Sequence, residues 1–256
     1  MNTESIIASG LSVGLCVFLL WLISIRLKDV SIADIWWGPG FAVIAWVTWA
    51  VQGAESIRFY ATASLLSLWG LRLGGYLAKR NLGHEEDHRY QAMRGSSPHF
   101  WWTSLFKVFL FQGAIQLVVA LPVFVIAALD APFGFWDMIG ISLALAGVVT
   151  EAMADRQLSR FKSAPDSAGQ VMDKGLWAYS RHPNYFGNAL MWFGIAWLAV
   201  AGGGAWWSLI GPALMLFLLL KVSGVSMLES TISERRPAYR RYKEEVSAFV
   251  PWPRKK

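Results

Sequence analysis

Cysteine occurs once, as Cys16 inside an apolar run. A lone thiol excludes an intrachain disulfide and any multi-thiolate metal centre. Charge is also scarce: 16% of the 256 residues are Asp, Glu, Lys or Arg, whereas 55% are hydrophobic. With a mean hydropathy of +0.41, that balance excludes an ordinary soluble domain and fits a polytopic, all-α membrane protein. Two phosphate-binding devices are missing, since neither GxGxxG nor GxxxxGK[ST] occurs. Any nucleotide must therefore use a cleft between membrane helices. Met1–Ser5 holds no basic residue, so the positive region of a secretory signal is lacking and the first apolar run reads as an uncleaved membrane helix. No internal repeat or low-complexity linker divides residues 1–256, which read as a single domain.

What is present is a set of seven apolar stretches, approximately Ile6–Leu27, Ile32–Val51, Ala61–Ala78, Leu105–Leu129, Trp136–Met153, Tyr185–Ala201 and Trp206–Met227. Each is long enough, or nearly so, to cross the hydrocarbon core. Trp36, Trp37, Trp101, Trp102, Trp136, Trp206 and Trp207 lie near their ends, as an aromatic belt requires. The net charge is +6, but its distribution argues against nucleic acid. With the N-terminus outside, the outer loops hold one basic residue, Arg58, and the inner loops and C-terminal segment hold nearly all the others. The positive-inside rule then predicts seven transmembrane helices, N-terminus out and C-terminus cytoplasmic.

Ionisable residues at membrane depth are costly and mark functional candidates. Asp34 opens the second helix, where a carboxylate also complements the helix dipole. Arg72 lies midway along the third helix with Tyr76 one turn on, and such an arginine needs a partner, for which Asp34 and Glu151 are candidates. Gly70, Gly74 and Gly75 on that helix predict close approach of a neighbouring backbone. The loop GHEEDHRY (residues 83–90) clusters His84, Glu85, Glu86, Asp87 and His88, but its spacing is neither that of a zinc motif nor of a calcium loop. A solvated loop with local ion pairs is preferred to a metal site. Glu151 and Asp155 share one face of the fifth helix, followed by Arg156, Arg160 and Lys162; this suits ribose hydroxyls and phosphates, or an interfacial ion network. The closing stretch PAYRRYKEEVSAFVPWP suits an amphipathic helix on anionic lipid.

The chain is organised around one polar stretch and the helix it opens, GLWAYSRHPNYFGNALMWFG (residues 175–194). Tyr179, Arg181, His182 and Asn184 crowd the mouth of an apolar helix, and Pro183 suits a first turn that has no use for the missing donor. Such a mouth can hold an anion. Equally, Trp, Tyr, Arg and His gather at headgroup level as anchors.

SRHPNYFG (Ser180–Gly187), preceded by DKGLW (Asp173–Trp177) and ADRQLSRFK (Ala154–Lys162), resembles the steroid 5α-reductase family. The likeness is greater to a bacterial branch known as an uncharacterised membrane family, through LWGLRLGGYL (Leu68–Leu77), EDHRY (Glu86–Tyr90) and SGVSMLE (Ser223–Glu229). The resemblance implies a seven-helix reductase, in a bacterium an inner-membrane protein. NADPH would sit in a pocket opening to the inner face, with residues 136–256 carrying most of that site. The implied cofactor contacts are Asp155, Lys162, Tyr179, Arg181, His182, Asn184, Tyr185, Glu229 and Tyr242. Where the family has a glutamate after its NYFG-like stretch, this chain has Asn188. Its hydride would go to the C=C of an enone in a 3-oxo-Δ4-steroid-like or other lipid. The animal enzymes' Gln-Glu pair is missing from ADIWWGPGF (Ala33–Phe41).

Hydride addition to an enone builds negative charge on the carbonyl oxygen, so a donor must point there. Asp34, kept neutral by an apolar site, Arg72 and Tyr76 are the candidates. No metal is required. The alternative is an S-adenosylmethionine-dependent methyltransferase of the isoprenylcysteine type, whose family has a similar RHPNYFG-like stretch. Three phosphates need several cations, and Arg156, Arg160, Lys162, Arg181, Arg240 and Arg241 favour NADPH. A non-catalytic lipid-binding or transport protein is the third reading. Sequence leaves the oligomeric state open.

Overall fold

The first helix, α1 (Thr3–Leu27), is built inside-out. It buries Ser5, Ser9, Val13, Val17 and Ser24, and exposes Leu11, Leu15, Phe18, Leu19 and Leu22. Large apolar side chains point outward because lipid, not water, is the outer solvent, while small and hydroxylated residues let helices approach and stitch. Ser5 donates to Gln52 at 3.3 Å, and Ser9 and Thr48 lie 3.3 Å apart.

The computed structural model describes residues 2–167, 169–222 and 238–255. These contain helices and no strand. After α1 come α2 (Ile32–Gln52), α3 (Ile57–Asn81), the short α4 (His88–Gly95), α5 (Phe100–Val119), α6 (Leu121–Ala127), α7 (Phe135–Lys162), α8 (Pro183–Ala201), α9 (Trp206–Val222) and α10 (Ala238–Glu245). Helical structure covers the described part of every apolar stretch except Leu105–Leu129, which is broken at Ala120 and ends at Ala127. Among the described residues, Thr3–Leu27, Phe100–Val119 and Phe135–Lys162 are long and apolar enough to cross a membrane, so the chain is an all-α membrane protein. Boundaries follow local chemistry: the side chains of Asn2 and Ser56 cap α1 and α3 by accepting from the amides of Glu4 and Phe59.

Two expectations need correcting. Leu105–Leu129 is not one helix: α5 starts earlier, passes through a π-helical turn at Leu105–Leu110, and ends at Val119. Pro122 opens α6 because a proline donates no amide hydrogen to the turn before it. The tryptophan belt also holds only in part. Trp101, Trp102, Trp136, Trp206 and Trp207 are exposed, whereas Trp36 and Trp37 are half-buried.

The chain forms two compact units, residues Met1–Asp137 with Leu198–Gly211, and Met138–Trp197 with Pro212–Lys256. In the first, α2 and α3 pack closely at glycine. A Cβ on Gly38 would lie 2.6 Å from the Gly70 carbonyl oxygen, and one on Gly74 would lie 2.8 Å from the Pro39 ring. Gly70 and Gly74 therefore serve the predicted close approach; Gly75 does not, having nothing within 4 Å of its Cβ position. Arg58, assigned to an outer loop from sequence, lies buried in the first turn of α3. Its guanidinium donates to Asp137 at 2.9 Å and to the carbonyls of Ala131 and Pro132 at 2.9 and 3.1 Å. In the second unit, α7 and α8 meet along Gly147 and Gly187; a Cβ on Gly147 would lie 2.8 Å from the Cα of Met191.

Candidate functional site

The α7–α8 seam carries a row of polar side chains. Glu151 and Asp155 are buried on one face of α7, and Asn188 is buried on α8. The amide of Asn184, one turn before Asn188, donates to the Asp155 carboxylate at 3.2 Å. The row is possible because Gly187 has no side chain: a Cβ there would lie 3.0 Å from the Cα of Glu151. Asn188 Oδ1 is buried with no hydrogen-bond partner. An orphaned acceptor at such a place costs about 1–3 kcal/mol unless a ligand donates to it.

The loop before α8 is fastened at both ends. Leu176 donates its amide to Gln157 at 3.0 Å, and the Trp177 indole donates to the Ala154 carbonyl at 3.2 Å, which holds the loop against the last turns of α7. On its other side runs the segment after α10. Arg181 donates from Nη1 to the carbonyls of Lys243 and Val246 at 2.6 and 2.8 Å, and its amide donates to Ser247 at 2.9 Å. Those carbonyls close α10, so the guanidinium caps a helix C-terminus, where a cation complements the dipole. The Ser180 hydroxyl donates to Phe249 at 2.7 Å, and Tyr242 donates from its hydroxyl to the Trp177 carbonyl at 2.6 Å. Burial pushes the Tyr242 phenol well above its ordinary value, reinforced by Tyr239, and keeps it a donor.

The first unit holds a second polar cluster. Arg89 donates to Asp34 Oδ2 at 2.6 Å and the Tyr90 hydroxyl donates to Oδ1 at 2.7 Å. Gln112, on α5, lies 3.3 Å from the Tyr90 hydroxyl. Burial and the Asp34 charge both raise the Tyr90 phenol. Burial alone would raise Asp87, yet hydrogen bonds from the Arg89 side chain and amide outweigh it and hold this carboxyl below its ordinary value. Glu86 accepts from the Val30 amide at 2.8 Å and pairs with Arg94 at 2.7 Å. GHEEDHRY is thus a clasp that pins α4 onto the start of α2. It is ion-paired, as expected, but less solvated than expected. Among the described residues no group of three or more His, Cys, Asp or Glu is placed to hold a metal.

The predicted site residues divide accordingly. Asp155 and Asn184 are brought together, and His182 stacks on Tyr185 with ring centroids 5.5 Å apart. Lys162 is exposed at the end of α7 and Tyr179 is exposed on the loop. Arg181 and Tyr242 are engaged in fastening the loop. Glu229 lies outside the described residues. Asp34, Arg72 and Tyr76 belong to the first unit. Gly70 and Gly74 turn one face of α3 to α2, whereas Arg72 and Tyr76, both half-buried, stand two positions from Gly74 and so lie on the opposite face of α3. The residues missed were Arg89, Tyr90 and Gln112, the groups that bind Asp34. EDHRY singled out the first two as a motif but gave no sign of their partner.

The seam sets two carboxylates beside an amide oxygen that lacks a donor. Carboxylates are acceptors suited to hydroxyl donors, and the Asn188 oxygen is an acceptor with no hydrogen-bond partner. Phosphates would fall to exposed cations, Arg156, Arg160 and Lys162, because the Arg181 guanidinium is occupied by carbonyls.

The chain is 28% identical to an uncharacterised protein of Schizosaccharomyces pombe, over 91% of this chain and 75% of that protein. No solved structure matches. Residues 20–246 match the family described as protein of unknown function, DUF1295, a span that contains the clasp, the α7–α8 seam and the fastened loop. The chain belongs to the DUF1295 family.

Proposed function

We propose that this chain is a membrane-embedded, NADPH-dependent reductase of a carbon–carbon double bond conjugated to a ketone, acting on a steroid-like or other lipid. The observation that carries the reading is the polar row of buried Glu151, Asp155 and Asn188 with half-buried Asn184, whose Asn188 acceptor is orphaned and whose Asp155 and Asn184 lie in the stretches that resemble steroid 5α-reductases. NADPH supplies the hydride; the residues named here bind and orient it. Asp34, with both carboxylate oxygens accepting, anchors Arg89 and Tyr90, which leaves Arg72 and Tyr76 as the donor candidates for the developing oxyanion. Seven spans with the N-terminus outside complete the reading, placing Arg156, Arg160 and Lys162 on the cytoplasmic side, where NADPH is found.

One observation favours the methyltransferase reading. Arg181 points its guanidinium at backbone carbonyls, which removes one cation from those available to three phosphates. The two are separated by purifying the protein in detergent, identifying co-purifying nucleotide by mass spectrometry, and measuring thermal stabilisation by added NADPH and by S-adenosylmethionine. Stabilisation by NADPH alone is expected; stabilisation by S-adenosylmethionine alone overturns the reductase.

A further inference from the structure

The loop before α8 and the segment after α10 together present an exposed apolar surface. The Trp252 amide donates to the Tyr179 carbonyl at 2.9 Å and Ser180 donates to the Phe249 carbonyl at 2.7 Å, so the two strands of chain run side by side. Phe249 turns inward, its ring edge-on to Phe186 at 5.8 Å. Between the two tethers Val250 turns outward and is 56% exposed, beside Trp252 at 67% and Tyr179 at 51%. The apolar face of α10 takes no part in this: Tyr239 and Tyr242 pack with Val246 and Val171 inside the unit, contrary to the expectation of an amphipathic helix lying on lipid.

Two facts identify what covers the surface. The loop is fixed to Ala154 and Gln157, near the end of α7, a helix long and apolar enough to cross a membrane, so the patch lies close to where that helix leaves the hydrocarbon. Residues 163–182 and 238–255, which leave out the cations assigned to cofactor phosphates, carry six exposed Lys and Arg against four Asp and Glu, a surplus that attracts an anionic leaflet. Lys174 and Lys255 are among these cations, and Arg254 flanks Trp252. Tryptophan and tyrosine with adjacent cations are the side chains that partition to the headgroup zone.

We propose that Tyr179, Val250 and Trp252 form an interfacial anchor that inserts at headgroup depth into an anionic lipid leaflet, with the surrounding cations on lipid phosphates. The polar stretch then has two faces: Tyr179 grips lipid, while His182 and Asn184 turn inward. The anchor stands independently of the reductase reading.

The test uses the full chain with Cys16→Ala and Val250→Cys, carrying an environment-sensitive fluorophore at position 250. It is reconstituted in vesicles of phosphatidylcholine alone and of phosphatidylcholine with one-third phosphatidylglycerol. The expected result is blue-shifted emission, quenched more by a spin label near the headgroup than by one at the chain end, and quenched more with phosphatidylglycerol present. Trp252→Ala should reduce the quenching. Water-like emission without quenching overturns the anchor, as does blue-shifted emission that no lipid quencher reaches, which would mean cover by protein. Equal quenching in both vesicles overturns the anionic preference. No readout involves nucleotide, so this result and that for cofactor binding fall separately.

Discussion

Asn184 joins the two halves of the α7–α8 seam, and its amide is the first place where cofactor binding should register. Asn184→Ala removes a donor from Asp155 and a polar group facing the seam. As a ligand contact, its loss costs about 1–3 kcal/mol, or roughly ten- to a hundredfold in NADPH affinity. Without nucleotide the variant should be less stable by about 1–3 kcal/mol, because buried Asp155 loses a donor, and the extra stability that saturating NADPH gives the parent should largely vanish. Equal stabilisation of both proteins would remove Asn184 from the cofactor site. Arg58 makes a contrasting case, because its role is purely structural. Arg58→Leu leaves the Asp137 carboxylate buried with the Gly134 amide still donating at 2.8 Å, and should cost about 3–5 kcal/mol. Removing both charges, with Asp137→Leu added, should recover much of that loss in chemical unfolding. Asp87 adds a dependence on pH. Its folded value is depressed, so the stability it contributes is present above the unfolded carboxyl value of about 3.9 and drains away as pH falls through the lower folded value. Asp87→Asn should therefore be less stable than the parent near neutral pH and close to it in acid, as read from unfolding midpoints across that range.

At the scale of helices, the seams depend on a few glycines whose neighbours are backbone and cannot yield. Gly147→Ala puts a methyl group against Met191 and Gly187 and should destabilise the second unit by about 1–3 kcal/mol. Gly75→Ala meets nothing within 4 Å and gains helix propensity, so it should be neutral or slightly stabilising. Comparing the two melting temperatures checks that space, rather than glycine as such, decides. GLRLGG announced a close helix approach without indicating which of its glycines makes it. That depends on rotation about the α3 axis, which is fixed by contact with Gly38 and Pro39 on another helix. The break between α5 and α6 was more nearly legible, since Pro122 is visible in the sequence and its missing donor is a local fact.

For the whole molecule, topology is the quantity to test. Helix α7 has 28 residues and rises about 42 Å at 1.5 Å per residue, enough to separate its two ends by a bilayer. In a Cys16→Ala background, Pro132→Cys before it and Ala164→Cys after it should be labelled by an impermeant reagent from opposite sides of the membrane. Labelling from one side would overturn the seven-span, N-out reading. The sequence by itself determined the membrane class, the approximate positions of the helices and the polar mouth of α8. Hydropathy and proline act through neighbours a few residues away, so a linear reading reaches them. Only tertiary structure decided that Arg181 caps α10 and that Asp34 binds Arg89 and Tyr90 fifty-five and fifty-six residues on. It alone also showed that Arg58 is buried against Asp137. Each of those partners is chosen by how helices pack, and a charge at membrane depth takes whichever donor or acceptor the packing brings within reach.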